Sequence, residues 1–258
     1  MSIKKKEVFI TVKTYPNPSK KYRETVCVAG IDLKTQKWIR LYPIPFRDLN
    51  AYQQFKKYSL ISIKTEKADD DKRPESYKVD SETIRILEYI DTERGTWNKR
   101  KEIILPTVSE SFCKILDERD KSDKSLGMFK PANVKFVFNK VKPKDILERK
   151  ECYNKLDLFY SPTEPIEPIP FDFRYSFSCA DTPECPGHDL RIIDWEIYQS
   201  YRSWRWKYRN EKELLEKIEM RWLENMCDEK KDTYFFVGNT KRFRNTFMVL
   251  GVFYPPNK

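Results

Sequence analysis

Between residues 7 and 90 the chain is a series of short apolar runs rich in β-branched and aromatic residues, broken by turn signals. Glu7 to Lys13, Glu24 to Ile31, Lys37 to Tyr42, Tyr58 to Lys64 and Ser81 to Ile90 each have the length and composition of a strand. Asp32 to Gln36 make a polar turn, so the second and third runs read as a hairpin. Pro43 and Pro45 end it, because proline donates nothing to a sheet ladder. Asp48 to Lys57 suit a short helix. Several short strands with turns between them predict a small closed or half-closed barrel.

The pattern then becomes mixed. Val108 to Arg119 places Phe112, Ile115 and Leu116 on one side of a helix, with Ser109 or Ser111 near its start. Val134 to Phe138 is a further strand. Four prolines between Tyr160 and Pro170 read as an extended connector, which divides the chain into a β-rich part, 1–160, and an α+β part, 171–258. Phe171 to Ser178 form a strand. From Asp189 to Arg209 glycine and proline are absent, and Ile197, Tyr201, Trp204 and Tyr208 recur at helical spacing. Tyr198, Arg202, Arg205 and Arg209 recur on a neighbouring face, which would stack three guanidiniums along one edge. Asn210 caps a second helix, with Glu213 three residues later and Leu215, Ile218, Trp222 and Met226 as its apolar stripe. Thr233 to Val237 and Thr246 to Tyr254 pair as a C-terminal hairpin around a loop carrying Lys241, Arg242, Phe243 and Arg244. The expected fold class is therefore α+β: a β-rich, barrel-like N-terminal part, then a mixed half with two helices and a C-terminal hairpin.

Composition narrows the partners. The 258 residues carry a net charge of +10, and aromatic residues make up 14%, too many for a disordered chain. No apolar stretch is long enough to span a membrane, and the N-terminus has no signal-peptide core, so a reducing cytoplasm is expected. Excess Lys and Arg favour a polyanion such as nucleic acid. Two basic–aromatic elements in one half, the helix edge of Tyr198, Arg202, Arg205 and Arg209 and the loop of Lys241, Arg242 and Arg244, point the same way. Two further loops, 13–23 and 40–47, mix Lys and Arg with Tyr, which suits unpaired bases but is also ordinary for a solvated loop.

The chemistry concentrates at residues 179–188. The single histidine follows two of the six cysteines in the spacing Cys179-x5-Cys185-x2-His188, with Pro183, Pro186 and Gly187 bending the chain. Thiolate and imidazole are donors that Zn²⁺ accepts at a tetrahedral structural site. The fourth ligand must come from elsewhere. Cys227 is the first choice because its helix could fold back, with Cys113 and Cys152, or Asp189 or a water, as alternatives. The competing account is that these are buried packing residues; an iron–sulfur cluster would want four thiolates.

Catalytic signatures are sparse. P-loop, G-x-G-x-x-G, G-x-S-x-G and H-E-x-x-H motifs are all missing. Asp69, Asp70 and Asp71 could offer oxygens to one Mg²⁺, but consecutive side chains rarely converge on a single ion, and the run reads as an exposed loop. On a helix Asp194 and Glu196 would diverge by about 200° and could not share an ion. Asp194 then reads as a first-turn acid opposing the helix dipole. A binding module is thus preferred to a metal-dependent nuclease or base-modifying enzyme built on Asp194, Glu196 or Asp232. A protein-interaction scaffold is the third reading.

Overall fold

Residues 8–12 are buried without a break, although a strand turns alternate side chains to opposite faces. The computed structural model, which describes residues 3–19, 23–157, 166–180 and 182–257, shows why. Strand β1 (Lys4–Lys13) is covered on both sides. Val8 and Ile10 point into the core of a barrel, while Phe9 and Val12 pack outward against the C-terminal half.

The barrel also contains β2 (Asn17–Ser19), β3 (Arg23–Asp32), β4 (Lys37–Ile44), β5 (Ser59–Lys67) and β6 (Ser76–Tyr89). The order β1-β5-β6-β4-β3 closes through a β1–β3 pairing, and β2 hangs on the outer edge of β3. Closure brings backbones close at Gly30, where a Cβ would lie 2.2 Å from the Phe9 carbonyl oxygen. Only glycine fits there. β4 continues through Pro43 to Ile44, and β4 meets β6 in parallel. The helix expected over 48–57 is instead two 3-10 turns, Phe46–Asp48 and Ala51–Gln53. Part of the basic loop at 13–23, with Lys20, Lys21 and Tyr22, lies outside the described residues.

After α1 (Asn98–Ile104) and α2 (Phe112–Ser122), two three-stranded sheets build the second half. One joins β7 (Leu126–Phe129) to the hairpin of β11 (Tyr234–Asn239) and β12 (Phe247–Phe253). The other joins β8 (Pro131–Lys140), β9 (Phe171–Cys179) and β10 (His188–Arg191). Strands on either side of the proline-rich segment therefore pair, Phe129 with Phe235 and Phe136 with Tyr175. Helix α3 (Pro143–Asp157) was not evident from the pattern, since its apolar residues form no clean stripe. It starts on Pro143, a favoured first helical residue.

The long helix expected from Asp189 is cut at both ends. Residues 188–191 pair with β9, Leu190 and Ile192 are buried, and the Ile192 amide donates to the Phe173 carbonyl at 2.8 Å. Asp194 then caps α4 (Trp195–Trp204) by accepting from the Glu196 amide. Beyond Trp204 the chain turns, so Arg205 is the C-cap and Arg209 lies outside the helix. Three stacked guanidiniums on one helix edge do not form. Helix α5 (Glu211–Glu219) begins as expected on Asn210, whose side chain accepts from the Glu213 amide, while Glu213 accepts from the Arg209 amide at 3.1 Å. A wider π-helical turn over Met220–Asn225 extends it, and Leu215, Ile218, Trp222 and Met226 are all buried.

The two halves share one core. Phe9, Tyr58 and Trp97 pack with Met128, Phe236 and Phe253. Buried charges pin the seam. Arg40 donates to the Ser125 hydroxyl at 2.7 Å and carbonyl at 3.1 Å, and Glu75 accepts from the Ser125 amide and hydroxyl. Lys57 meets Asp194 at 2.9 Å, both side chains being almost wholly buried.

Candidate metal centre

Three elements bring four donor groups together. Cys113 stands in the first turn of α2, whose N-cap Ser111 accepts from the Lys114 amide at 3.0 Å. Cys179 ends β9, Cys185 lies in the following loop, and His188 opens β10, where it faces Phe177 across the pair. Gly187 just before it has φ +78°, a left-handed conformation that glycine adopts without strain. The three sulfurs and a His188 ring nitrogen all lie within 4.8 Å of one another. His188 Nε2 is 3.4 Å from Cys113 Sγ, 3.7 Å from Cys179 Sγ and 3.3 Å from Cys185 Sγ. Cys113 and Cys179 are 3.8 Å apart, nearly twice a disulfide bond length. Donors converging this closely can hold a single metal ion.

The surroundings favour ligation. Phe112 meets the His188 ring edge-on at 4.7 Å and Phe177 lies at 5.4 Å, which fixes the imidazole plane. Burial lowers the His188 pKa, so the ring is neutral and its lone pair free to bind. Burial and the neighbouring Cys179 and Cys185 sulfurs push the Cys113 thiol up to about 12. For Cys185, burial opposes the thiolate, but amide donors at Cys179 and Gly187 and the thiols of Cys179 and Cys113 outweigh it, and its pKa falls. The Cys179 amide donates to Cys185 Sγ at 3.3 Å. A cation at the centre would relieve the crowding of thiolates that holds protons on Cys113.

Cys113, rather than Cys227, joins the trio. Cys227 lies at the end of the π-helical turn with Sγ 3.6 Å from the Trp222 carbonyl, and burial pushes its thiol up to about 12. The side chain of Cys152 lies outside the described residues. Asp189 is engaged by Arg174 through an ion pair and a backbone contact. Cys113 carried one local signal: it follows a serine N-cap, and a helix N-terminus stabilises a thiolate.

The basic residues are dispersed. Tyr198 is buried and donates to the Ile192 carbonyl at 2.9 Å. Arg202 leans on Gln199, Arg205 pairs with Glu167 at 2.6 Å, and Arg209 is exposed in the turn after α4. In that turn Trp206 is 80% exposed, with the Arg205 guanidinium 4.7 Å from its ring. On the hairpin tip Lys241 pairs with Asp70 and Arg244 with Asp123, while Arg242 lies 5.2 Å from the exposed ring of Phe243. Of the candidate carboxylates, Asp71 is held by Arg73 and Asp232 by Lys130 and the Tyr234 hydroxyl. Asp194 and Glu196 do converge on one cation, contrary to the helical expectation, because Asp194 is the N-cap and precedes the helix. That cation is the Lys57 ammonium, at 2.9 and 3.4 Å.

A strand-rich α+β chain, with a closed five-stranded barrel and a compact Cys₃His group, is thus the class defined by fold and site. The chain belongs to the family described as a domain of unknown function, DUF8757, which matches residues 108–258. Residues 4–106 are similar to a second domain of unknown function, DUF8758. None of the curated proteins matches the chain. Among the described residues no helix is long and apolar enough to cross a membrane.

Proposed function

We propose that the chain is a nucleic-acid-binding protein whose C-terminal half is held by a structural Zn²⁺ at Cys113, Cys179, Cys185 and His188. The spacing of the four donors carries the metal assignment. Tetrahedral zinc, with Zn–S near 2.3 Å and Zn–N near 2.05 Å, sets sulfurs about 3.8 Å apart and sulfur about 3.6 Å from nitrogen. The corresponding separations here are 3.8 Å for Cys113–Cys179 and 3.3 to 3.7 Å for the three sulfurs to His188 Nε2. Four protein ligands leave no open position, the arrangement of a structural rather than a catalytic ion. It ties α2 to β9 and β10, strands that carry the chain into α4. The five described cysteines are all free, which suits a reducing cytoplasm.

The binding surface favoured by the geometry is the turn after α4. Trp206 offers an exposed indole face beside the half-exposed Arg205, with Lys207 and Arg209 also exposed in the same turn. An aromatic face among cations stacks on unpaired bases while the cations meet phosphates. The net charge of +10 adds sequence-independent attraction. Labelled single-stranded and duplex DNA and RNA, titrated at several salt concentrations, test this. Trp206→Ala should cost about 1–3 kcal/mol on single strands. Arg209→Ala should reduce the salt slope by about 0.7. Unchanged affinity and slope in both folded variants, or wild-type binding that vanishes near physiological salt, would reject the reading and leave the scaffold alternative. The nuclease alternative is less favoured, because Lys57 pairs with Asp194 and Glu196 while Lys130 and the Tyr234 hydroxyl engage Asp232.

A further inference from the structure

The three sulfurs of the Cys₃His group are neither equally open to solvent nor equally held. Cys179 is buried, whereas Cys113 and Cys185 are half-buried and so within reach of a small solute. The Cys185 sulfur accepts the Cys179 amide at 3.3 Å. A donor that steadies a thiolate also lowers its nucleophilicity. Among the described residues the polar neighbours of Cys113 Sγ are the other donors alone, with Cys179 Sγ at 3.8 Å and His188 Nε2 at 3.4 Å. Cys113 is thus the open, unsteadied sulfur, and a second, shielded sulfur lies in contact with it.

We propose that Cys113 and Cys179 form a peroxide-sensitive thiol pair that releases the metal ion when oxidised, an inference that rests on the zinc reading above. The Cys113 thiolate attacks hydrogen peroxide; the O–O bond breaks, hydroxide leaves, and the sulfur becomes a sulfenic acid. The Cys179 thiolate then attacks that sulfur, the S–O bond breaks, a second hydroxide leaves and an S–S bond forms. The balance is 2 RS⁻ + H₂O₂ + 2 H⁺ → RS–SR + 2 H₂O, with both protons drawn from solvent. Peroxide is reduced to water and the two thiolates are oxidised to the disulfide. Zinc is left with Cys185 and His188, two ligands short of its tetrahedron, and dissociates. The joint between elements survives. The new bond ties α2 to β9 across 66 positions of sequence, and Phe112 and Phe177 still pack on the His188 ring. What is lost is the hold on Cys185 and on the loop that leads into β10.

Zinc per chain is measured first, on full-length protein purified without chelator and then freed of reductant. Hydrogen peroxide is added in steps with a chromogenic zinc chelator, and the products are mapped by peptide mass spectrometry without reduction. About one peroxide per chain should release the zinc, with a Cys113–Cys179 disulfide appearing in step. Dimedone present during the reaction should tag Cys113. A thiol reductant with added zinc should restore the ion, and Cys227→Ser, outside the centre, should behave as wild type. Zinc retained at an about tenfold excess of peroxide, or release accompanied only by sulfinic or sulfonic acid, would overturn the proposal. So would a disulfide to Cys185 or Cys227, or a dimedone tag on Cys185. Each of these leaves the zinc reading intact, whereas protein that holds no zinc before peroxide is added would reject both.

Discussion

Replacing Lys57 by Met tests the seam between the halves through the protonation of one carboxyl. Asp194 is fully buried, and burial raises its pKa to about 6 even though Lys57 and the Glu196 amide pull it down. Without Lys57 the carboxylate is a buried charge with no counter-ion, a penalty of about 3–5 kcal/mol. At about 1.4 kcal/mol per pH unit this lifts the folded pKa by roughly two to four more units, so Asp194 is protonated in the variant at pH 7. A carboxyl with a folded pKa above its unfolded value, about 3.9, stabilises the fold fully below that value and loses this contribution as pH rises through the folded pKa. In wild type the loss is complete a little above pH 6; in Lys57→Met it continues beyond pH 7. At pH 7 the variant therefore suffers an extra loss of about 1.4 kcal/mol, which shrinks towards zero at pH 5, where both proteins hold Asp194 protonated. The lost contacts of the ammonium add about 1.5–3 kcal/mol with little pH dependence. Urea unfolding at pH 5 and pH 7, read by tryptophan fluorescence, measures both parts. A destabilisation that is equal at the two pH values, or larger at pH 5, would refute the reasoning.

Cys113→Ser should reduce zinc from about one ion per chain to well under half and lower the melting temperature, whereas Cys227→Ser should keep the stoichiometry. Elemental analysis of protein purified without chelator distinguishes them, and the opposite pattern would exclude the ligand set. Asn210→Ala removes the acceptor for the Glu213 amide and should cost about 1 kcal/mol, or roughly 2–4 °C in a thermal melt. No change in the melt would show that α5 is held by the packing of Leu215, Ile218 and Trp222 alone.

Much was legible in local pattern because local physics enforces it. Each N-terminal strand carries its own β-branched run, Phe171 to Cys179 alternates buried and half-buried side chains in register, and Asn210 caps whatever helix follows it. Cys179, Cys185 and His188 lie within ten residues, at the two strand ends and in the loop that joins them, so their convergence required little beyond the β9–β10 pairing and the turn at Gly187. Pairing over long distances decided the rest. Cys113 is 66 residues from Cys179, and only the docking of α2 against β9 and β10 makes it the fourth donor. Residues 189–192 follow a helical pattern in isolation, yet hydrogen bonds to β9 draw them into a strand and move the helix start to Trp195. That shift leaves Arg209 outside the helix and turns Asp194 onto Lys57, 137 residues earlier. Periodicity reports which face of an element is apolar; it does not report which distant backbone will claim its hydrogen bonds, or which buried charge will meet its counter-ion.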